Sequence, residues 1–388
     1  MANTIAFIST YIHHTQDSVH KMLRAAFPEY EIETISILDI VKQRQRWILP
    51  NLYCVAREYG SNIVQGLVPL RTRYFQTSYL LEQIRKEMRN HIDPRRHVFS
   101  FQTQSQYDTA VPGVPHFIYT DHTHLSNLAS PYFDRRLLKP PQCVAFERDT
   151  YHNATRVFTR STDIADDLVH HYGLPPDRRV CVYAGNNATI PSDYVVDNAD
   201  YSNQNVLFVG LDWERKGGPQ LVEAFREVQK VHPRARLTIV GPKIEVDLPN
   251  CRVLGELGLN ELSQQFASAS IFCVPTRLEP FGIVFVEAML HRLPIVATTT
   301  GALPDMVKEG ETGHLVPAGD TQGLAEALIG LLGDARRCRA FGLAGFQHAI
   351  DRYTWDRVGA RIRAEMLPLL GAHKAAGTSM PEQMREQL

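Results

Sequence analysis

The sequence has little of several features that would define its class at once. Lys and Arg total 41 against 42 Asp and Glu, so the formal net charge is −1 and no global field attracts nucleic acid. No apolar run reaches the roughly 18 residues that a transmembrane helix needs, and no basic region marks a signal peptide at the N-terminus. The six cysteines form no CxxC pair, which is typical of free thiols in a reducing compartment. We therefore expect a cytoplasmic location.

What remains is the composition of an ordinary globular protein. Of the 388 residues, 44% are hydrophobic, and at about 150 residues per domain this length favours two domains. Short β-branched runs alternate with helical patterns, which predicts an α/β fold with mainly parallel sheets. We expect strands at 4–8, 114–120, 156–159 and 180–183 in the first half, and at 206–209, 237–240, 251–254, 271–274 and 294–297 in the second half.

Composition also predicts the domain boundaries. Residues 185–204 lack periodicity and are rich in Asn, Asp, Ser and Gly, which is typical of an interdomain linker. We expect one domain over 1–190 and a second over 200–352. The helical pattern breaks near Tyr353 and continues over 353–370, and 371–388 reads as a polar tail.

Two acids frame a predicted helix start in the second half. Glu279 precedes Pro280, which disfavours helical dihedrals, so its side chain should point out of the loop. Gly282 follows where a helix begins, and free N–H groups there suit a phosphate. Glu287 lies inside that helix, where an ionised acid can accept two hydrogen bonds from a ribose diol. The alternatives are an exposed loop acid and a solvated helix position, but the helix around Glu287 is apolar nearly all round.

A pair of cations precedes another predicted helix in this half. Arg215 and Lys216 follow the strand that ends near Gly210, and a Gly-Gly-Pro sequence starts the helix after them. Cations beside a helix N-terminus can clamp a diphosphate without a metal ion. The alternative is a solvated Arg-Lys turn. Neither GxxxxGK[ST] nor GxGxxG occurs in the chain.

These motifs together resemble a known family. Their order and spacing are similar to those of retaining nucleotide-sugar glycosyltransferases of family 4, which have the GT-B fold. The segments that carry the resemblance are Val209-Gly210 through Lys216-Gly217, Val240-Gly241-Pro242, Glu279-Pro-Phe-Gly with Glu287, Thr300 through Asp305, and Glu311-Thr-Gly313.

The resemblance implies two Rossmann-like doubly wound domains facing a cleft, with the nucleotide on the second domain and the acceptor mainly on the first. It implies that residues 353–370 pack back on the first domain. It also implies roles for residues of the second half. Glu287 would hold the ribose, Glu279 would face the transferred sugar, and Arg215 with Lys216 would neutralise the diphosphate. The donor-binding set implied in this way is Gly210, Arg215, Lys216, Pro242, Thr276, Phe281, Gly282, Ile283 and Glu287.

One departure from the family pattern affects the cations. The family usually places an Arg directly after the position of Gly210 and a Lys five residues further on. Leu211 occupies the first of these places, so Arg215 is the candidate substitute.

A histidine of the first half completes the implied site. The predicted strand 114–120 is followed by Asp121 and His122, and the resemblance implies a donor-sugar contact for His122. Imidazole can bond sugar hydroxyls, and Asp121 beside it could help to steady positive charge. A structural loop histidine and a metal pair of His122 with His124 are the alternatives, although no third ligand follows by spacing. Residues 9–14 stand where the family has a Gly-rich loop.

Residues 42–96 are basic, apolar and aromatic at once. They hold eleven Lys or Arg against four acids, with Trp and Tyr side chains interleaved. This pattern suits an interfacial membrane surface or an anionic acceptor. Plain helices with solvated cations are the alternative.

The expected function is a retaining glycosyltransferase that needs neither a metal ion nor a cofactor beyond its nucleotide-sugar donor. We expect front-face substitution, with Glu279 as nucleophile of a double displacement as the alternative. A phosphorylase or epimerase of the same fold and a non-catalytic nucleotide-sugar sensor or scaffold are rival functions. The donor base, the sugar, the acceptor and the oligomeric state stay open.

Overall fold

The computed structural model describes residues 3–10, 14–187 and 201–378. Contacts divide the chain into two compact units, Met1–Tyr183 with Trp355–Leu388, and Ala184–Thr354. Residues 188–200 of the predicted linker and 379–388 of the predicted tail lie outside the described residues.

The first unit, called unit 1 below, is built on a six-stranded parallel sheet with the order β2-β1-β3-β4-β5-β6. Its strands are β1 Thr4–Ser9, β2 Glu31–Ser36, β3 His97–Thr103, β4 His116–Thr120, β5 Arg156–Thr159 and β6 Arg179–Cys181. Its first seven helices are α1 His14–Ala26, α2 Ile37–Gln43, α3 Ile48–Val64, α4 Leu70–Tyr74, α5 Ser78–Glu87, α6 Pro141–Asn153 and α7 Thr162–His170.

Two strands of unit 1 are absent from the sequence prediction. β3 is buried at every position, yet His97, Ser100 and Gln102 interrupt its apolar residues. These polar groups are satisfied inside the unit; Ser100, for example, bonds the His116 ring at 2.8 Å. β2 is an edge strand in which only two of the six residues, Ile32 and Ile35, are apolar. The prediction missed both because it relied on continuous β-branched runs.

The second unit, unit 2, also has a six-stranded parallel sheet, with the order β12-β11-β10-β7-β8-β9. Its strands are β7 Asn205–Val209, β8 Arg236–Val240, β9 Cys251–Val253, β10 Ile271–Val274, β11 Ile295–Thr298 and β12 Gly313–Val316. Its helices are α8 Gly218–Val231, α9 Leu259–Ser268, α10 Ile283–Leu290, α11 Leu303–Met306, α12 Thr321–Leu332 and α13 Ala335–Arg352. All five strands predicted for this half are present, and β12 is an addition.

Counted within unit 2, this strand order is that of the dinucleotide-binding doubly wound fold, and its order reverses between β7 and β10. Unit 1 has the other common doubly wound order, which reverses between β1 and β3. The predicted pair of doubly wound α/β domains is therefore confirmed.

The last helix, α14 Trp355–Thr378, belongs to unit 1. It packs on α1, where Gly359 lies against Met22 and Arg363 donates to the Ala26 carbonyl at 2.7 Å. The predicted tail from residue 371 is wrong as far as Thr378, because the helix continues to that residue. Among the helices of the described ranges, none is both long and apolar enough to cross a membrane.

Candidate active site

The predicted donor-binding residues of unit 2 gather at its switch point. The loop after β7, residues 210–217, meets the loop after β10, residues 275–282. The Arg277 N–H donates to the Arg215 carbonyl at 2.8 Å, and the Arg215 guanidinium donates to the Leu278 carbonyl at 2.8 Å. The carboxyl ends of strands at a switch point are where open α/β sheets bind ligands.

Glycines allow these loops to touch through their backbones. Gly217 has φ 74°, and a Cβ there would lie 1.9 Å from the Pro275 carbonyl oxygen. Gly301, in the loop after β11, has φ 56°, and its Cβ would lie 2.1 Å from the Glu279 carbonyl oxygen. L-residues rarely adopt such dihedrals, and no side chain fits such contacts. The loops after three strands of the sheet therefore form one close-packed floor.

A buried ion pair lies in this floor. The Lys216 ammonium donates to the Glu279 carboxylate, and the two residues are 7% and 5% exposed. The stem of Lys216 passes against Gly210, where a Cβ would come within 2.9 Å of it. The expectation that Glu279 points out of its loop is wrong, because attraction to the buried Lys216 turns the carboxylate inward. The pair places a cation and an acid at fixed positions beside the switch point.

Arg215 is arranged differently from its neighbour. Its side chain is 37% exposed, and its guanidinium bonds Asp212 at 3.2 Å as well as the Leu278 carbonyl. An exposed charge of this kind is screened by water, so its effect on a bound anion is weaker than that of Lys216. Of the two predicted cations, only Lys216 is buried.

Two helices begin beside the ion pair with a glycine at the N-cap. Gly217 precedes α8 and Gly282, with φ 87°, precedes α10, and neither helix start has a side-chain cap. The first-turn N–H groups are therefore not occupied by capping side chains and can bind an anion. Next to them, Phe281 is buried against the Tyr353 ring and Ile283 is 39% exposed.

Glu287 lies one turn further along α10. Burial raises its pKa to about 7, far above the ordinary value for a glutamate. Its carboxylate has no hydrogen bond or ion pair among the residues that the structure describes. A partly buried acid without a protein partner is suited to a ligand that brings two hydroxyl donors.

Two other predicted donor-binding residues shape the loops. The Thr276 hydroxyl donates to the Leu278 carbonyl at 2.9 Å, and the Thr276 carbonyl accepts from the Thr298 hydroxyl at 2.7 Å. Pro242 is buried directly after Gly241, whose Cβ would lie 2.4 Å from the Gly210 carbonyl oxygen. The Thr276 hydroxyl thus bonds the backbone of its own loop, and Pro242 follows the residue that meets the Gly210 backbone.

His122 lies in unit 1, in the loop after β4. The Asn127 amide donates to its Nε2 at 2.9 Å, so the ring proton sits on Nδ1 and faces the Ser126 hydroxyl at 3.1 Å. Burial lowers the pKa of His122. The His124 ring accepts the Lys139 N–H at 2.8 Å, and burial lowers its pKa to about 3. Both rings are neutral and bonded within the loop, and no cluster of three metal-ligating residues occurs in the described part of the chain.

Asp121 has a partner that sequence reasoning missed. The Arg160 guanidinium bonds its carboxylate at 3.2 Å and lies 4.9 Å from the Tyr119 ring centre. Burial raises the pKa of Asp121, but Arg160, His122 and hydrogen bonds to the carboxylate together hold that pKa below its usual value. The Asp121 carboxylate thus bonds Arg160, and it also attracts His122, whose pKa it raises against the effect of burial. The position of Arg160 directly after β5 was the available signal.

The switch point of unit 1 lies elsewhere, at the carboxyl ends of β1 and β3. There the Thr10 hydroxyl donates to the Thr103 carbonyl at 3.2 Å, and the Ser9 hydroxyl bonds the Gln16 side chain. Residues 11–13, within the segment that stands where the family has a Gly-rich loop, are outside the described residues. Strand order, which the sequence pattern did not reveal, identifies this second edge.

The family model that matches this chain covers part of unit 2. Residues 203–334 match the family model of glycosyl transferases group 1. A phosphatidyl-myo-inositol mannosyltransferase of Mycobacterium leprae is 36% identical over 169 residues, 41% of this chain and 45% of that protein. A GDP-mannose-dependent monoacylated alpha-(1-6)-phosphatidylinositol monomannoside mannosyltransferase of Corynebacterium glutamicum is 34% identical over 38% of this chain and 43% of that protein. The match thus spans less than half the length of each of these two relatives.

Solved structures match nearly the whole chain. A sucrose-phosphate synthase from Thermosynechococcus elongatus aligns with a TM-score of 0.67 at 17% identity, covering 95% of this chain and 100% of that one. At this identity the match shows the fold alone, and the fold is GT-B, as the resemblance implied.

Proposed function

We propose that this chain, of which residues 203–334 match the family model of glycosyl transferases group 1, is a retaining, metal-independent glycosyltransferase. It moves a sugar from a nucleoside-diphosphate sugar to an acceptor hydroxyl. The observation that carries this proposal is the buried Lys216–Glu279 pair at the switch point of unit 2, beside two helix starts without side-chain caps.

The reaction places negative charge on the departing diphosphate. Lys216 and the first-turn N–H groups of α8 and α10 are held where they can stabilise that charge, and Arg215 adds a weaker, exposed contribution. These groups do the work that a divalent cation does in metal-dependent transferases. Activity should therefore survive chelation of divalent ions.

Glu287 is the proposed ribose ligand. Its carboxylate has no partner in the described chain, and its raised pKa of about 7 reports the cost of leaving it ionised without one. Two ribose hydroxyls would supply the missing donors and favour the ionised form. The nucleotide thus replaces the hydration that burial removes.

Glu279 is proposed to position Lys216 rather than to act as a nucleophile. Its carboxylate accepts from the Lys216 ammonium, and it is 5% exposed. An acid held in this way is a poor attacking group, which favours front-face substitution. The leaving phosphate then takes the acceptor proton while the acceptor oxygen bonds the anomeric carbon, and His122 is proposed to bond sugar hydroxyls as a neutral ring.

The relatives suggest which substrates to test first. The one from Corynebacterium glutamicum is named GDP-mannose-dependent, and both named relatives act on phosphatidylinositol compounds. We therefore propose GDP-mannose as the first donor and a lipid-linked polyol as the first acceptor class.

A surface of unit 1 fits such an acceptor. On α3, Leu49 is 79% and Tyr53 is 67% exposed, and the exposed side chains of Arg46 and Arg57 flank them. Apolar side chains beside cations are suited to the interface of a membrane that contains anionic lipids. We propose that this α3 face contacts the membrane peripherally.

The test follows the fate of a labelled donor. Purified protein is incubated with GDP-mannose, UDP-glucose or ADP-glucose, each labelled in the sugar, with phosphatidylinositol vesicles, with and without EDTA. Transfer to lipid with a retained anomeric configuration, unchanged by EDTA, is the expected result. Phosphorolysis or epimerisation of the sugar, or nucleotide binding without turnover in the presence of varied acceptors, would replace this proposal by a phosphorylase, an epimerase or a sensor.

A further inference from the structure

A cavity lies in unit 1, partly within the basic segment 42–96 and apart from the loop that carries His122. It has a volume of about 610 Å³, which is within the size range of small-molecule sites. Its lining comes from α5, the turn after it that holds Arg89, Asp108, residues 110–114 and the last residue of α6. None of these segments holds a predicted active-site residue.

The cavity borders the connection between β3 and β4. β3 and β4 are neighbouring parallel strands, and such strands are usually joined by a helix that covers the sheet. Here residues 104–115 return to the start of β4 without a helix. Ile84 of α5 shares a buried apolar cluster with Val111 and Val114 of this segment, and the cavity lies beside that cluster, against the charged side chains of α5.

The cavity lies at the amino edge of the sheet. Residues 110–114 precede β4, Asn153 ends α6 shortly before β5, and Arg89 lies in the 3-10 turn before β3. The amino ends of parallel strands share one edge, whereas His122 follows the carboxyl end of β4. The five-residue strand between them is roughly 15 Å long. The cavity is thus separate from the loop that carries His122.

Cations outnumber acids around this cavity. Arg85 and Lys86 share the single carboxylate of Glu82, at 2.5 and 3.4 Å. Arg89 is exposed and has no ion pair within the part of the chain that the structure describes. Arg85 and Lys86 of α5 and Arg89 of the next turn all line the cavity, so they can converge on one anion.

On the opposite wall of the cavity, the Asp108 carboxylate already accepts hydrogen bonds from the protein. Asp108 is 1% exposed, and its two oxygens accept from the Ala110 N–H at 3.2 Å and the Asn153 amide at 2.8 Å. It is therefore fixed in place, and the cation of the cavity with which it interacts electrostatically is Arg85, not Arg89. Val111 and Val114, both mainly buried, add an apolar surface beside it. The cavity combines an incompletely neutralised cationic rim with an apolar floor.

We propose that this cavity is a binding site for a small soluble phosphate monoester, held by Lys86, Arg89 and Arg85 with its carbon body on Val111 and Val114. Two guanidinium groups can each bind phosphate oxygens through paired N–H donors, and the ammonium of Lys86 adds a point charge. Binding a phosphate would weaken the ion pairs of Arg85 and Lys86 with Glu82. The free energy lost in this way is small, because the two cations already share one carboxylate.

The experiment is calorimetric titration of the full chain with glycerol 3-phosphate, inorganic phosphate and, as an uncharged probe, glycerol. Glycerol 3-phosphate should bind saturably and more tightly than inorganic phosphate, and glycerol should not bind. Arg89→Glu should weaken glycerol 3-phosphate binding by about tenfold or more, since it replaces a cationic donor by a carboxylate that repels the phosphate. Arg252→Glu reverses an exposed arginine of unit 2 and is the matched control, expected to leave affinity unchanged.

Several outcomes would overturn the proposal. They are the absence of saturable binding to the wild-type chain, equal loss in the Arg89→Glu and Arg252→Glu variants, and binding to phosphatidic acid vesicles without binding of the soluble ester. The melting temperature of each variant, measured without ligand, shows whether it is folded. Because the titration needs no donor or acceptor sugar, its result is independent of the glycosyltransferase assignment.

Discussion

The carboxyl edges of the two sheets carry their polar groups in opposite ways. At the switch point of unit 2, the charged pair Lys216–Glu279 is buried, and Gly217 and Gly301 let the surrounding loops close on it. In unit 1, the loop after β4 holds His122 neutral, with both ring nitrogens bonded inside the loop. The edge of unit 2 thus holds a buried ion pair, whereas the edge of unit 1 holds an uncharged imidazole ring.

This difference fits the two halves of a sugar-transfer reaction. A diphosphate leaving group needs positive charge that is already in place, because a preorganised group does not have to reorient as the bond breaks. A sugar needs hydrogen-bonding groups, and a charged ring is not required for that. Each prediction below alters one side of this comparison.

The largest effect is expected for Lys216→Ala. We expect kcat/KM to fall by about 10² or more, because a charge-stabilising donor is lost. The variant also leaves Glu279 buried without its partner, which should lower the free energy of unfolding by about 3–5 kcal/mol. Urea denaturation and steady-state kinetics measure the two effects.

The double variant Lys216→Ala/Glu279→Ala separates these effects. Removing both charges should restore much of the stability but not the activity, and Lys230→Ala, an exposed lysine of α8, is the control for general charge loss. If the folded double variant transfers sugar at the wild-type rate, the charged pair has no part in the reaction.

The next effect concerns Glu287 and pH. Its pKa in the folded chain, about 7, lies above the ordinary 4.5, so the folded state binds more protons than the unfolded state between these values. Stability should therefore fall as the pH rises through this window, by up to about 3 kcal/mol. Glu287→Gln should remove this dependence in denaturation curves collected from pH 4.5 to 8.

The same acid gives a binding signature. If ribose hydroxyls select the ionised carboxylate, nucleotide binding at pH 6 should release close to one proton, and Glu287→Gln should release none. Calorimetry in two buffers of different ionisation enthalpy measures the proton count. Equal proton release in both proteins would place the ribose elsewhere.

A smaller effect is expected at the glycines. Gly217→Ala should lower the free energy of unfolding by about 1–3 kcal/mol or more, because the residue has φ 74° and its Cβ would meet the Pro275 carbonyl. Gly330→Ala is the matched control, since Gly330 lies inside α12 with nothing within 4 Å of its Cβ. That change should stabilise the helix by up to about 1 kcal/mol. Two effects of the same sign would contradict the close-packed floor.

The smallest effect is expected at the surface of α3. Replacing Leu49 and Tyr53 by Ser should weaken binding to vesicles that contain anionic lipid by about tenfold, through the loss of apolar area. Leu259→Ser, which removes an exposed leucine of unit 2, should leave it unchanged. Cosedimentation measures both, and equal binding to neutral vesicles would show that the flanking arginines do not contribute.

Much of unit 2 was predictable because its information is local. The strand Ile271–Val274 is apolar throughout and was placed to the residue, and the lone acid Glu287 stood out in an apolar helix. The strands β2 and β3 were missed because their polar residues find partners only in the folded unit. The pairing of Asp121 with Arg160, 39 residues away, was missed for the same reason.

By itself the sequence determined the alternation of strands and helices, the place of the loops at strand ends and the residue types in them, since these depend on neighbours within a few positions along the chain. Only the tertiary structure decided that Lys216 pairs with Glu279, 63 residues later, and that a cationic cavity opens where the β3–β4 connection has no helix. Both depend on strand order and burial, which bring distant segments together and remove water from the charges between them.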